Sequence, residues 1–386
     1  MKKFILLLLS LVLLAACGGT SPAAKPPGGG STDPCATPRQ LRNALGSASQ
    51  SDVISLYGVS PLSCPEVSMS ETWAGGKLLF SDSPEHPATA GKVFEDAGLP
   101  ATSGSDYNRV FLYHTNGMSG SNRMKWTVLV KNNSANSATL TVQKSGTAGP
   151  TTSYLYAGKM AFLRWLESSA ASGVLVAPGE TVRLDTTFDS VTTAPTYLMT
   201  GIWDYSMTEP HTVTVCALGE NDDPMSCSGL SVLPRDTHQR GTCPNADKVY
   251  DFAGTIDTVG NIQQLPMAGG TANDANAQCV DATDGSTHEL KGNFGVLYRM
   301  HMNIASSDGR HMGLLMNPRG GAWGGAAWTA PGITPGGKFL IPAGTASLGD
   351  NTKGAVEGRY GAGAPWLQWM PTGGSSLPLR LVAVPY

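Results

Sequence analysis

The sequence predicts an all-β fold, with two tandem, related β-sandwich domains of Ig-like or jelly-roll-like type. Three observations lead to this expectation. Charged residues make up only 14% of the chain, glycine is abundant and apolar residues occur in short runs, a composition typical of exported all-β proteins. Several runs alternate apolar and polar residues with the period of a half-buried strand. The order of these runs in the first half recurs in the second.

The clearest alternating runs lie in the first half of the chain. One extends from Met124 to Lys131, and a second, from 139 to 143, follows the polar turn at 132–134. Together they predict a hairpin with one buried face. Residues 158–166 have helical spacing instead and predict a short helix.

The second half repeats this order of elements. A strand at 298–304 and a return strand at 312–316 match the predicted hairpin, and Gly320 to Gly332 stands in the place of the helix. The last strands of the two halves also correspond. We therefore expect a first domain at 66–230, a junction at 231–241 and a second domain at 242–386.

The N-terminal residues predict export and a lipid anchor. Lys2 and Lys3 precede an apolar run from Phe4 to Leu14, which has the arrangement of a secretion signal and is short for a membrane span. Leu14-Ala15-Ala16-Cys17 resembles the lipobox of bacterial lipoproteins. The resemblance implies a signal peptide at 1–16 and diacylation of Cys17. The alternative is an ordinary signal peptide that ends near an incidental cysteine.

A lipid on Cys17 anchors a protein to a membrane without a spanning helix. Residues 17–34 are rich in glycine, proline and serine and predict a flexible tether. The expected location is therefore the extracytoplasmic side of the bacterial cell envelope, on the plasma membrane or the outer membrane.

Six further cysteines remain, and an even number in an exported chain indicates disulfides. Six cysteines allow fifteen pairings. Pairing each cysteine with its neighbour agrees best with the domain division and gives Cys35–Cys64, Cys216–Cys227 and Cys243–Cys279. A zinc site is the alternative, but no pair of cysteines has the C-x-x-C spacing of such sites.

Residues 35–65 form a small unit before the first domain. Thr37 and Pro38 are typical of a helix start, and Leu41 and Leu45 share a helix face. We expect a short helical segment held by Cys35–Cys64.

Three stretches of the body resemble a group of exported bacterial envelope proteins with two β-sandwich domains. They are residues 233–242 (LPRDTHQRGT), 290–298 (LKGNFGVLY) and 317–321 (NPRGG). The resemblance supports the two-domain division and carries no catalytic residues over to this chain.

Signatures of catalysis and of nucleic-acid binding are absent from the sequence. The stretch Gly117 to Ser121 comes nearest to a serine-hydrolase elbow, but its spacing is wrong. The histidines are scattered, and no basic stripe marks a nucleic-acid surface. No catalytic residue is therefore predicted.

Four tryptophans are candidates for binding sugar rings. Trp323 and Trp328 lie in the glycine-rich stretch 320–332, and Trp366 and Trp369 extend the set. Aromatic rings on loops of β-sandwiches can stack on sugars. The opposing interpretation is that these rings cap the second core, where tryptophan is usually found.

A calcium site is the one metal centre that the sequence suggests, and no other cofactor is expected. Asp281, Asp284 and Glu289 supply hard oxygen ligands in a loop after Cys279. The same Asp-Gly loop also fits a plain turn.

These observations favour a membrane-anchored, non-enzymatic binding or display scaffold, with envelope glycans or proteins as partners. Two alternatives remain open. One is an exported hydrolase whose site is assembled from scattered residues, and the other is a purely structural spacer.

Overall fold

The computed structural model describes residues 33–102, 106–252 and 254–386. Strands dominate these residues, together with the helices α1 (Arg39–Ser47) and α2 (Tyr154–Glu167), so the all-β expectation is confirmed. The predicted signal peptide, Cys17 and most of the tether lie outside the described residues.

Of the helices described, none combines the length and the apolar character that crossing a membrane requires.

The strands follow one another along the whole described chain. Up to residue 219 they are β1 (Val53–Ser55), β2 (Met69–Ala74), β3 (Leu78–Ser81), β4 (Gly91–Leu99), β5 (Asn108–Thr115), β6 (Met124–Asn132), β7 (Ala138–Thr151), β8 (Val174–Val176), β9 (Thr181–Arg183), β10 (Leu198–Met207) and β11 (His211–Gly219). After residue 239 they are β12 (Arg240–Cys243), β13 (Asp247–Phe252), β14 (Ile256–Asp257), β15 (Gln263–Met267), β16 (Ala277–Val280), β17 (Thr287–Leu290), β18 (Leu297–His301), β19 (Ile304–Ala305), β20 (Met312–Pro318), β21 (Gly325–Thr329), β22 (Gly337–Ile341), β23 (Lys353–Tyr360), β24 (Trp366–Trp369) and β25 (Leu379–Pro385).

Most of these strands form four sheets. Sheet I has the order β4-β11-β6-β9, and sheet II has the order β17-β16-β12-β3-β5-β10-β7-β8. Sheet III has the order β2-β13-β18-β24-β21-β22, and sheet IV has the order β15-β25-β20-β23-β1.

The two halves of the chain repeat one pairing order. The run β3-β5-β10-β7-β8 in sheet II has the same order and strand directions as β13-β18-β24-β21-β22 in sheet III, including one parallel pair at its start. Sheet I likewise corresponds to β15-β25-β20-β23 of sheet IV. A repeated pairing order is what a duplication of one sandwich unit produces.

The correspondence is shifted by one strand from the one that the sequence suggests. The run at 298–304 begins with β18, whose counterpart is β5 and not β6. The stretch 320–332 contains β21 and corresponds to β7, not to α2. The error arises because alternation looks alike in every half-buried strand and does not identify the strand.

Both predicted hairpins are wrong in the same way. β6 lies in sheet I and β7 in sheet II, while β18 lies in sheet III and β20 in sheet IV. In each case the chain crosses from one sheet of a sandwich to the other. Alternation predicts which face of a strand is buried, and a crossing buries the same residues as a hairpin does.

The predicted domain boundaries do not separate the sheets. β2, at the start of the predicted first domain, pairs with β13, and β12, at the start of the second half, pairs with β3. The two halves thus exchange the strand that precedes each of them. The β16–β17 hairpin of the second half also joins sheet II through β12.

The cores follow from this arrangement. Sheets I and II enclose one apolar cluster around Trp126, Val128 and Trp203. A larger cluster joins sheets III and IV to the outer face of sheet II, with α2 packed against β7, β10, β21 and β22. α2 contains the predicted helix at 158–166 and starts earlier, at Tyr154.

The N-terminal segment covers the outer face of sheet IV. Leu41 and Leu45 of α1 pack with Leu315, Val356 and Val382, and β1 extends the sheet beside β23. The three predicted disulfides, Cys35–Cys64, Cys216–Cys227 and Cys243–Cys279, are confirmed.

Candidate functional site

A cleft with a volume of about 450 Å³ lies at the base of the β16–β17 hairpin. Its walls come from residues 268–270, from Asn276 and the segment 289–294, and from the pair Leu377-Pro378. The hairpin lies between β15 and β18, whereas the equivalent segment between β4 and β5 contains no strand in its described part. Insertions of this kind often carry the binding face of a duplicated fold.

Asn276 is the central polar group of this cleft. Its Nδ2 donates to Glu289 Oε1 at 3.2 Å. Its Oδ1 is buried and receives no hydrogen bond from the described residues. A buried acceptor without a donor is costly, so such a group in a cleft is a candidate contact for a ligand.

Gly270 allows the cleft wall to approach Asn276. It has a φ of +62°, and a Cβ there would lie 2.5 Å from Asn276 Nδ2. A larger residue would be strained in this conformation and would displace the amide.

Charged and aromatic groups complete the cleft. Glu289 and Lys291 are exposed at its mouth, and Phe294 is half-buried in its wall. A carboxylate accepts hydrogen bonds, an ammonium donates them and a ring offers an apolar face. The cleft therefore fits a small, polar ligand with one apolar face.

A buried network holds the loop that carries Asn276. Asp274 accepts hydrogen bonds from Lys248 Nζ at 2.8 Å and from Tyr250 Oη at 2.6 Å. Tyr298 Oη donates to the same carboxylate at 3.0 Å. Burial raises the pKa of both tyrosines, and the nearby charge of Asp274 adds to the effect. Both tyrosine hydroxyl groups therefore stay protonated and donate hydrogen bonds to Asp274.

The network also reaches the exchanged strand β2. Lys248 Nζ lies 3.1 Å from Glu71 Oε2 and 4.5 Å from the ring centroid of Trp73. Trp73 in turn lines a second cleft of about 310 Å³, to which Asn276 also contributes. Asn276 thus lies between two neighbouring clefts.

A second polar cluster surrounds His238 at the predicted junction. His238 Nε2 is 2.6 Å from Glu85 Oε2, and Nδ1 is 3.0 Å from Asp236 Oδ2. Ser83 donates its hydroxyl to Asp236 Oδ1 at 2.9 Å. The imidazole is thus held between two carboxylates. The sequence signal for this cluster is the stretch 233–242, in which the individual histidine appeared isolated.

The pKa of Asp236 and the pKa of Asp82, a carboxyl group outside the cluster that interacts electrostatically with Glu85 and Asp236, move apart. Burial alone would raise the pKa of Asp236, but hydrogen bonds from His238, Glu85 and Ser83 outweigh it and lower the pKa to about 2. Burial raises the pKa of Asp82, and the charges of Glu85 and Asp236 raise it further. Such divergence is found in general acid–base pairs.

The four predicted tryptophans do not form one exposed platform. Trp323 and Trp369 are fully buried, and Trp328 is half-buried against the same core. Trp366 is 37% exposed and stacks on His301 with 4.6 Å between ring centroids. Since Trp366 and Trp369 are three residues apart on one strand, they point to opposite faces.

The three predicted calcium ligands do not converge. Asp281 is buried, with Oδ2 2.8 Å from Arg240 Nε, and Asp284 lies 3.4 Å from Arg235. Glu289 instead faces the cleft beside Asn276. In the described parts of the chain, no three His, Cys, Asp or Glu side chains are grouped for metal binding. Arginines supply the positive charge that the prediction assigned to calcium.

No family model matches the chain, and none of the curated proteins is similar to it.

Proposed function

We propose that this protein is a non-enzymatic binding protein of the bacterial cell envelope, anchored through Cys17, whose cleft at Asn276 binds a saccharide unit. The observation that carries the proposal is the buried, unpartnered Oδ1 of Asn276 inside a cleft of about 450 Å³. The three disulfides support an oxidising, extracytoplasmic location.

A saccharide matches the chemistry of the cleft. Its hydroxyl groups both donate and accept, so they satisfy Asn276 Oδ1, Glu289 and Lys291 together. One face of a pyranose carries mainly C–H groups, and Phe294 offers a half-buried ring for it. Small-molecule sites of this type combine an apolar wall with a few placed polar groups.

A glycan array probed with the full chain in detergent tests this proposal. We expect the wild-type protein to bind a subset of envelope-type saccharides and Glu289→Gln and Lys291→Ala to weaken binding about tenfold each. A hydrogen bond to a charged group contributes about 1.5–3 kcal/mol, and 1.4 kcal/mol corresponds to a factor of ten.

Two exposed charges away from the cleft provide matched controls. Glu220→Gln and Lys353→Ala remove the same types of charge from exposed ion pairs. Both controls should bind as the wild type does. An array without any bound saccharide, or equal binding by all variants, would contradict the proposal.

Hydrolysis at the His238 cluster is the second candidate function, favoured by an imidazole held between Glu85 and Asp236. In this function Glu85 would accept a proton from the attacking water molecule, and His238, which faces a carboxylate through each ring nitrogen, would donate a proton to the leaving group. Chromogenic nitrophenyl esters and glycosides are suitable probes.

The hydrolase candidate requires activity that depends on the cluster. Turnover by the wild type should fall at least about 100-fold in His238→Gln, since general acid–base catalysis contributes about 10²–10⁴-fold. His311→Gln, an exposed histidine elsewhere, serves as the control. No turnover of either substrate class, or equal turnover by His238→Gln, would exclude these reactions.

A further inference from the structure

A pocket of about 240 Å³ opens beside the N-terminal segment on the outer face of sheet IV. One wall is the loop at 58–62, and the opposite wall includes Asn317, Arg319, Asn351 and Arg380. The pocket thus brings two arginines together under a loop that the Cys35–Cys64 disulfide helps to hold. Among the residues that the structure describes, none lines both this pocket and the Asn276 cleft.

Arg380 is buried, and the described residues supply no carboxylate that forms an ion pair with it. Only 4% of its surface is exposed, and its Nε donates to the neutral Gln264 Oε1 at 2.8 Å. Over residues 33–102, 106–252 and 254–386, neither Arg380 nor Arg319 forms an ion pair with a carboxylate. Burial, and then the charge of Arg319, lowers the pKa of Arg380 to about 10, with Glu66 opposing the shift.

Two other buried arginines each have a carboxylate partner, which Arg380 lacks among the described residues. Arg109 pairs with Asp204 at 2.7 Å, and Arg240 pairs with Asp281 at 2.8 Å. Buried charges are normally paired in this way, since an isolated one is costly. Arg109 and Arg240 each contact a carboxylate. Arg380 instead lies beside an open pocket, and no carboxylate of the described residues balances its charge.

We infer that this pocket binds a phosphate-type oxyanion. The planar forks of two guanidinium groups match the oxygens of a tetrahedral anion, and the amide of Asn351 and the hydroxyl of Ser60 are further donors in the pocket walls. The anion supplies the charge that balances Arg319 and Arg380.

Free phosphate and a phospholipid head group share this chemistry. Tyr57 and Leu62, beside and within the loop that forms one wall, are 45% and 59% exposed. Exposed aromatic and aliphatic side chains beside cationic groups are typical of surfaces that lie in a membrane interface. A bound phospholipid would contact the side chains of Tyr57 and Leu62, whereas free phosphate would not.

Titration calorimetry of the full chain tests the inference with two probes, inorganic phosphate and monomeric dihexanoylphosphatidylglycerol. We expect the wild type to bind at least one of them and Arg319→Ala to weaken that binding about tenfold or more. Arg380→Met should abolish it. Arg123→Met, which removes an arginine that is 42% exposed, should bind as the wild type does.

The comparison of probes identifies the source of the anion. Tighter binding of the lipid, reduced in a Tyr57→Ser/Leu62→Ser variant, indicates a head-group site. Equal or weaker binding of the lipid indicates free phosphate.

Thermal unfolding in phosphate-free buffer controls for folding. Arg380→Met removes a buried charge but leaves Gln264 Oε1 without its donor, so the variant should still unfold cooperatively, with a melting temperature within a few degrees of that of the wild type. No binding of either probe, or equal binding by Arg319→Ala and the wild type, would overturn the inference.

Discussion

The guanidinium of Arg109 and the carboxylate of Asp204 form a two-pronged, buried ion pair, with Nε 2.7 Å from Oδ1 and Nη2 2.9 Å from Oδ2. The remaining Nη1 donates to the carbonyl oxygens of Ala246 at 2.8 Å and Gly295 at 3.1 Å. Arg109 and Asp204 belong to sheet II, whereas these carbonyls precede β13 and β18 of sheet III. One buried cation thus links the two halves of the chain.

Asp204→Asn should lower the free energy of unfolding by about 1.5–3 kcal/mol, because it removes the charged, two-pronged partner of the buried Arg109 and leaves Asp247 Oδ1, 3.2 Å from Nη1, as the remaining carboxylate. Urea unfolding followed by tryptophan fluorescence measures the change. Glu220→Gln, which removes an ion pair exposed on both sides, should cost about 0–1 kcal/mol. A loss below about 1 kcal/mol in Asp204→Asn would show that the pair does not hold the halves together.

Glu357 predicts a specific dependence of stability on pH. Its side chain is buried, both carboxyl oxygens lack a partner in the described structure, and burial raises its pKa to about 8. Since the folded pKa exceeds the ordinary value of 4.5, the stabilising contribution is complete below pH 4.5. It is lost as the pH rises through 8.

Urea unfolding of wild type and Glu357→Gln at pH 5 and pH 9 tests this dependence. The free energy of unfolding of the wild type should fall between these pH values, and the variant should lack most of that fall. Similar pH profiles for the two proteins would rule out a buried, protonated Glu357.

The corrected positions of the tryptophans predict unequal effects on stability. Trp323→Ala removes a fully buried ring and should cost about 3–5 kcal/mol. Trp366→Ala removes a ring that is 37% exposed and should cost about 1 kcal/mol. Thermal unfolding distinguishes the two, and equal costs would contradict this placement of the rings.

Features that depend on neighbouring residues were predictable from the sequence. The three disulfides join cysteines that are 11, 29 and 36 residues apart, so pairing of sequence neighbours identified them. α2 was visible because its apolar residues recur with a helical period. The duplication was visible in the order of elements, although the strand equivalents were shifted by one.

Features that depend on the choice of strand partner were not predictable. The exchange of β2 and β12 leaves no trace in alternation, because a short strand buries the same face beside either neighbour. For the same reason the crossings between sheets were mistaken for hairpins.

The cleft was not predictable from the sequence, because its lining residues are far apart in the chain and become neighbours only when the chain folds. Glu289 was singled out as a calcium ligand, yet it forms a hydrogen bond with Asn276 while Asp281 pairs with Arg240. Asn276 has no sequence signature, since an asparagine before a strand is usually part of a turn.

Titration calorimetry with the strongest saccharide from the array tests the central claim most directly. The full chain should bind one equivalent, and the double variant Glu289→Gln/Lys291→Ala should bind about 100-fold more weakly, since two hydrogen bonds to charged groups are lost. The double control Glu220→Gln/Lys353→Ala should keep the wild-type affinity. Unchanged affinity of the cleft variant would contradict a saccharide site at Asn276.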